Sequence, residues 1–205
     1  SGIANLRTGK FRNDKAPFGI DIHNDGWGWA TGSPFTDIET LVDDQNCFGK
    51  DLREAVADRI SNQLLMACMV EQPADGSNRI TVDANYKDAL GNPRPIVNYN
   101  LSDYSKAGIA FARDTSRVIL QRLGAEDHSK YSPLDYGYFD YEGEGYYFRG
   151  GNHFSGTHIM GTSAENSVVD TKQRSWDYEN LYLIGSGSMP SIGTSNTTLT
   201  LAALC

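Results

Sequence analysis

The sequence predicts an α+β fold, an antiparallel sheet with helices on one face. Two kinds of segment carry that expectation. Residues 48–70 and 103–123 repeat apolar residues near helical spacing. Arg79–Val82 and Pro95–Tyr99 are short alternating runs, each bounded by turn-forming residues, as strands should be.

The elements follow in chain order. Residues 1–46 are rich in Gly, Asn and Asp, and Asp25-Gly26-Trp27-Gly28-Trp29 holds too much Gly for a helix, so it reads as strand and loop. Gly49-Lys50-Asp51 offers a helix start, with Leu52, Val56, Ile60 and Leu64 in register behind it. The apolar run Leu64–Val70 is a core-helix candidate, although Met66–Gln72 can also leave the helix as an extended segment. Pro73-Ala74-Asp75-Gly76 and Gly91-Asn92-Pro93 are turns around the strand pair. Ser102 caps a helix over 103–123 whose apolar positions include Ala107, Ile109, Phe111, Val118, Ile119 and Leu123, and Gly124 ends it. Residues 131–152 crowd Tyr and Phe into one loop or hairpin, either packed over a sheet or forming a pocket wall. Leu181–Ile184 reads as a strand and Thr197–Cys205 as a helix without a stop signal.

Composition narrows the function. At 205 residues the chain is one large domain or parts of two. A net charge of −8 and scattered basic residues argue against a nucleic-acid partner. No apolar run reaches the length of a membrane span. Cys47, Cys68 and Cys205 lack metal spacing and read as free buried thiols. The acidic stretch Asp135–Glu144 is interleaved with Gly and Tyr and lacks ligand spacing, so it reads as a solvated loop and no metal site is expected.

The last 55 residues hold several short motifs in order. They are Gly151-Asn152-His153-Phe154-Ser155-Gly156-Thr157, Ser167-Val168-Val169-Asp170, Asn180–Ile184, Ser188-Met189-Pro190 and Gly193-Thr194-Ser195-Asn196-Thr197-Thr198-Leu199-Thr200. Together they resemble the C-terminal signature of the glucose–methanol–choline (GMC) flavoprotein oxidoreductases. Glu71-Gln72-Pro73, Asn78-Arg79-Ile80 and Asp88–Pro93 are similar to the substrate-domain sheet of that family. Within it, the form Gly-Thr-x-Asn-x-Thr-Leu-Thr is nearest to the FAD-dependent sugar dehydrogenases of the glucose, gluconate and fructose type. Ser186 stands where many relatives have Asp, and Thr197 where most have Pro, which adds a backbone donor at that turn.

The resemblance implies FAD as cofactor and oxidation of a sugar or polyol. It implies His153 and Asn196 as the catalytic pair, and Gly187, Ser188, Thr197 and Thr198 as cofactor-binding residues. A His suits the base, because its pKa lies near working pH. Asn cannot take a proton, so Asn196 would orient the substrate oxygen. His23, His128 and His158 read as structural or surface residues, with His158 close enough to line the site. The resemblance further implies a substrate domain over residues 1–165. A C-terminal strand, turn and helix over 166–205 would complete a Rossmann-like FAD domain, the helix N-terminus near Asn196 pointing at the flavin. Gly185-Ser186-Gly187 is not the dinucleotide fingerprint, because Pro190 occupies its last glycine position. The FAD-binding half is therefore expected on another chain or segment, with an electron-acceptor subunit as a further partner. Two other classes stay open: a non-catalytic carbohydrate-binding fragment, and a lyase on the same scaffold.

Overall fold

The computed structural model describes residues 8–23 and 38–205; the indole-rich stretch Asp25–Trp29 lies outside them. The described residues form two compact units, one of 19–23 with 38–69 and one of 8–18 with 70–205. Helices and antiparallel strands mix as expected. Among the described residues the strands form four two-stranded pairs, however, and not one continuous sheet.

In the smaller unit, strand β1 (Phe18–His23) pairs with β2 (Leu65–Val70), and a π-helical turn (Thr40–Asp44) precedes helix α1 (Gly49–Ser61). The helix expected over 48–70 stops at Ser61. Ser61 Oγ donates to the Ala57 carbonyl at 2.8 Å, and Asn62 Nδ2 donates to the Asp58 carbonyl at 3.0 Å. Side chains thus satisfy the last-turn carbonyls, and the chain leaves the helix there. The apolar run 64–70 is then a strand and not a core helix, because β1 offers it a pairing edge. The three cysteines form no disulfide, but against expectation none is buried: Cys47 and Cys68 are half-buried and Cys205 is exposed.

The larger unit is organised by helix α2 (Asp103–Leu123). Ser102 Oγ accepts from the Ser105 N–H at 3.2 Å, and Gly124 ends the helix at φ 65°. The helix buries Ser105, Gly108, Ala112, Ser116 and Leu120, while the larger Val118 and Leu123 face outward. The small-residue stripe wins because residues 16–18 run hard against it. A Cβ on Gly108 would sit 2.7 Å from Ala16 Cβ. The Ala16 N–H donates to the Tyr104 carbonyl at 3.0 Å. The Phe18 ring, wholly buried, meets Phe111 edge-on at 5.4 Å.

Three strand pairs surround this helix in sequence. The two-residue strands β3 (Gln72–Pro73) and β8 (Ser191–Ile192) pair antiparallel. Strands β4 (Arg79–Lys87) and β5 (Pro93–Asn98) form a ribbon with Ile80 opposite Val97. Strands β6 (Tyr138–Tyr141) and β7 (Glu144–Tyr147) form a hairpin, turned by Glu142 and Gly143 at φ 51° and 84°. Its aromatics do both things the sequence allows. Phe139 stacks on Tyr146 at 5.6 Å, while Tyr99, Phe139 and Phe148 wall a cleft of about 340 Å³ with Lys106.

Glu71 ties the unit to its C-terminal part. Its carboxylate accepts two hydrogen bonds from Arg12 at 3.0 and 2.9 Å, one from Tyr104 at 3.2 Å and one from Ser191 at 3.2 Å. The strand expected at Leu181–Ile184 does not form. Its only bridge among the described residues joins Tyr182 to Arg174, flanked by hydrogen bonds to Gln173 and Ser175. One bridge with three neighbours on a single edge is too short a ladder for a strand. Leu181, Tyr182 and Ile184 stay exposed among the described residues. The final helix, α3 (Thr198–Leu204), forms as expected.

Candidate active site

The residues around His153 form no regular element, yet they are held on two sides. The strap after His153 donates three backbone hydrogen bonds to the Gly185–Met189 turn. They run from Gly156 to Ser186 at 3.4 Å, from His158 to Gly187 at 3.0 Å and from Met160 to Ser188 at 2.8 Å. On its other edge the Ile159 carbonyl accepts from Val168 at 3.0 Å, and Gly161 donates to Val169 at 3.0 Å. Val169 is wholly buried and bridges Met160. Two of the sequence motifs, spaced far apart in the chain, are thereby joined.

His153 is half-buried on this strap, one residue after Asn152, whose φ is 56°. Among the described residues neither of its ring nitrogens has a hydrogen-bond partner, so both are available to a ligand. Asn196 is exposed in the turn before α3, and its amide is likewise free. No hydrogen bond joins His153 to Asn196 among the described residues.

The four residues expected at the cofactor divide. Gly187 lies in the turn, its carbonyl bonded by the His158 N–H. Thr197 is buried and carries α3, accepting from the Leu201 N–H at 2.9 Å, while Thr198 is exposed. Ser188 is wholly buried. Its N–H and hydroxyl both donate to the Gly185 carbonyl, at 3.1 and 2.8 Å, and its carbonyl accepts from Met160. Ser188, expected at the cofactor, thus also holds together the turn on which it sits.

Two residues gain importance that their sequence context did not give them. Gln173, buried at φ 62°, accepts from the Ser188 hydroxyl at 3.4 Å and donates through Nε2 to the Leu204 carbonyl. It thereby links the turn to the end of α3. His158 lies with its ring on Gly187. Its Nδ1 is 3.2 Å from Thr157 Oγ1, and its Nε2 is shut from solvent without a partner. An unsatisfied buried nitrogen costs about 1–3 kcal/mol. The His-x-x-Gly-Thr-His order was the only sequence signal for it.

With the strap and turn in place, the relatives can be compared. A family model described as GMC oxidoreductase matches residues 74–205, more than half of the chain and all of the strap, turn and α3. The chain belongs to the GMC oxidoreductase family. It is similar to the fructose dehydrogenase large subunit of Gluconobacter japonicus, 31% identical over the whole chain and 34% of that protein. It also resembles the 2-methyl-1,2-propanediol dehydrogenase of Mycolicibacterium austroafricanum, at 24% identity over 97% of the chain and 37% of the relative. A third similar protein is the gluconate 2-dehydrogenase flavoprotein of Pantoea cypripedii, at 24% identity over 93% of the chain and 30% of that protein. The chain spans about a third of the length of these curated relatives.

Proposed function

We propose that the protein is part of an FAD-dependent oxidoreductase that converts a CH–OH group of a sugar or related alcohol to a carbonyl. The observation that carries this reading is a His with both nitrogens free, on a strap bonded along its length to the Gly185–Met189 turn. Relatives named for dehydrogenation of fructose, gluconate and a diol support the substrate class, and the word flavoprotein in one name supports the cofactor. The open Asn196 amide is a polar group of the kind an alcohol would satisfy.

Bound FAD would supply the acceptor for the hydride that leaves the substrate carbon. This chain's part is to remove the hydroxyl proton and hold the carbon in place. His153 takes that proton, and the O–H electrons become the second bond of the carbonyl. Asn196 donates its amide N–H to the same oxygen and fixes the orientation of the C–H bond. The backbone at Gly187, with Ser188, Thr197 and Thr198, holds the cofactor, and the Ser188 hydroxyl keeps the turn in shape. Residues 1–165 serve the substrate, and 166–205 join a Rossmann-like FAD domain carried on another chain or segment. The name "large subunit" of one relative supports a further, electron-accepting partner.

Anaerobic mixing of the complete protein with a panel of sugars and polyols tests the reading. Bleaching of a stoichiometric flavin by at least one of them is the expected result. Sugar binding without bleaching would mean a carbohydrate-binding protein, and cleavage without bleaching a lyase.

A further inference from the structure

We infer that His158 is a positioning residue: its ring is the spacer that sets the separation between the strap carrying His153 and the Gly185–Met189 turn. The inference deepens the oxidoreductase reading and rests on it. A Cβ added to Gly187 would collide with the edge of the His158 ring, against its Cε1 and Nδ1 atoms, and with Thr157 Oγ1. The imidazole therefore occupies the place of a side chain at 187, which is why that position is glycine, since its backbone shows no left-handed φ. The ring cannot slide away. The His158 backbone N–H donates to the Gly187 carbonyl at 3.0 Å, and the residues beside it are bonded to 168–169 on the other edge. Its Nδ1 is tied to Thr157 Oγ1 at 3.2 Å, which fixes the plane of the ring.

An aliphatic side chain would fill the same volume without leaving a buried nitrogen unpaired, as Nε2 is here. A planar ring anchored at one edge lets the two backbones approach more closely than a branched side chain does. The close approach puts His153 and the Gly187 backbone in one rigid frame. Hydride transfer is sensitive to such spacing, and a misplacement near 1 Å can cost about a hundredfold in rate.

The test is a compensation experiment in the complete, FAD-loaded protein. Gly187→Ala is expected to shift the flavin absorption band and to slow flavin reduction by about ten- to a hundredfold. Adding His158→Ala to it should return both readouts to those of His158→Ala alone. If Gly187→Ala does not fold, recovery of soluble, FAD-loaded protein in the double variant supports the spacer equally. A double variant no better than Gly187→Ala, or a Gly187→Ala protein like the wild type, overturns it. The flavin band reads the turn whether or not His153 is the base. Normal reduction in His153→Ala would remove the base and leave the spacer standing. Missing compensation, with His153→Ala crippled, would remove the spacer alone.

Discussion

Helix α2 and the strap after His153 are both held firmly, but by different means. The helix closes its own backbone bonds, takes one cap from Ser102 and one stop from Gly124, and meets its neighbours through side chains. The strap closes none of its own. Its N–H groups go to the Gly185–Met189 turn, and its other edge goes to residues 168–169. The difference teaches that the candidate site owes its geometry to long-range pairing, whereas the scaffold owes its own to local chemistry. Damage to the helix should therefore lower stability alone. Damage to the strap or its turn should reach stability and chemistry together.

The sharpest break of that comparison is at Asn196, which touches neither scaffold nor strap through its side chain. Asn196→Asp should lower turnover by about 10²–10³, since it exchanges an amide donor for a negative charge at the substrate oxygen. Asn196→His should keep more activity, and the two melting temperatures should match. If Asp were the better tolerated, the orienting role would be wrong.

Ser188→Val comes next. It removes the hydroxyl bonds to Gly185 and Gln173 and leaves a buried carbonyl of Gln173 short of a donor. A loss of about 1–3 kcal/mol is expected in denaturant melts. The same variant should also slow flavin reduction. Lost stability with an unchanged rate would mean that the turn is no part of the site.

Arg113, within α2, meets Asp127, beyond the helix end, at 2.6 Å. Burial pushes the Asp127 carboxyl up, but hydrogen bonds from Arg113 and Ser129 and the charge of Arg113 outweigh it and bring the pKa from 3.8 to about 2. The folded value lies below the unfolded one, so the stabilisation is whole above pH ~4 and is lost as pH falls towards ~2. It amounts to roughly 2 kcal/mol. Arg113→Met should flatten that slope in an acid titration of stability to the share that Ser129 holds, and an unchanged slope would contradict the pairing.

The smallest effect belongs to the helix cap. Ser102→Ala should cost about 1 kcal/mol and leave flavin reduction as it was. A slowed reaction would show that helix and strap are not separable.

The same division explains what the sequence revealed. Ser102 and Gly124 announce the ends of α2, and Pro73–Gly76 and Gly91–Pro93 announce the turns, because each acts on its own neighbours. The inward face of α2 was hidden, since it depends on Ala16 lying against Gly108. The strand at 65–70 was half-hidden, since only β1 decides between strand and helix there. Leu181–Ile184 looks like a strand but finds a single bridge at Arg174. At the site, His153 and Asn196 were legible through the family motifs, whereas the His158–Gly187 contact joins segments that no local pattern links.

The central claim is that His153 is the base of an alcohol oxidation. The most direct measurement is the anaerobic rate of flavin reduction by substrate, in rapid mixing, for the complete protein and its His153→Ala variant. The account predicts a fall of about 10²–10⁴ with FAD content and melting temperature preserved. A variant that keeps its flavin and reduces it at the wild-type rate would contradict it.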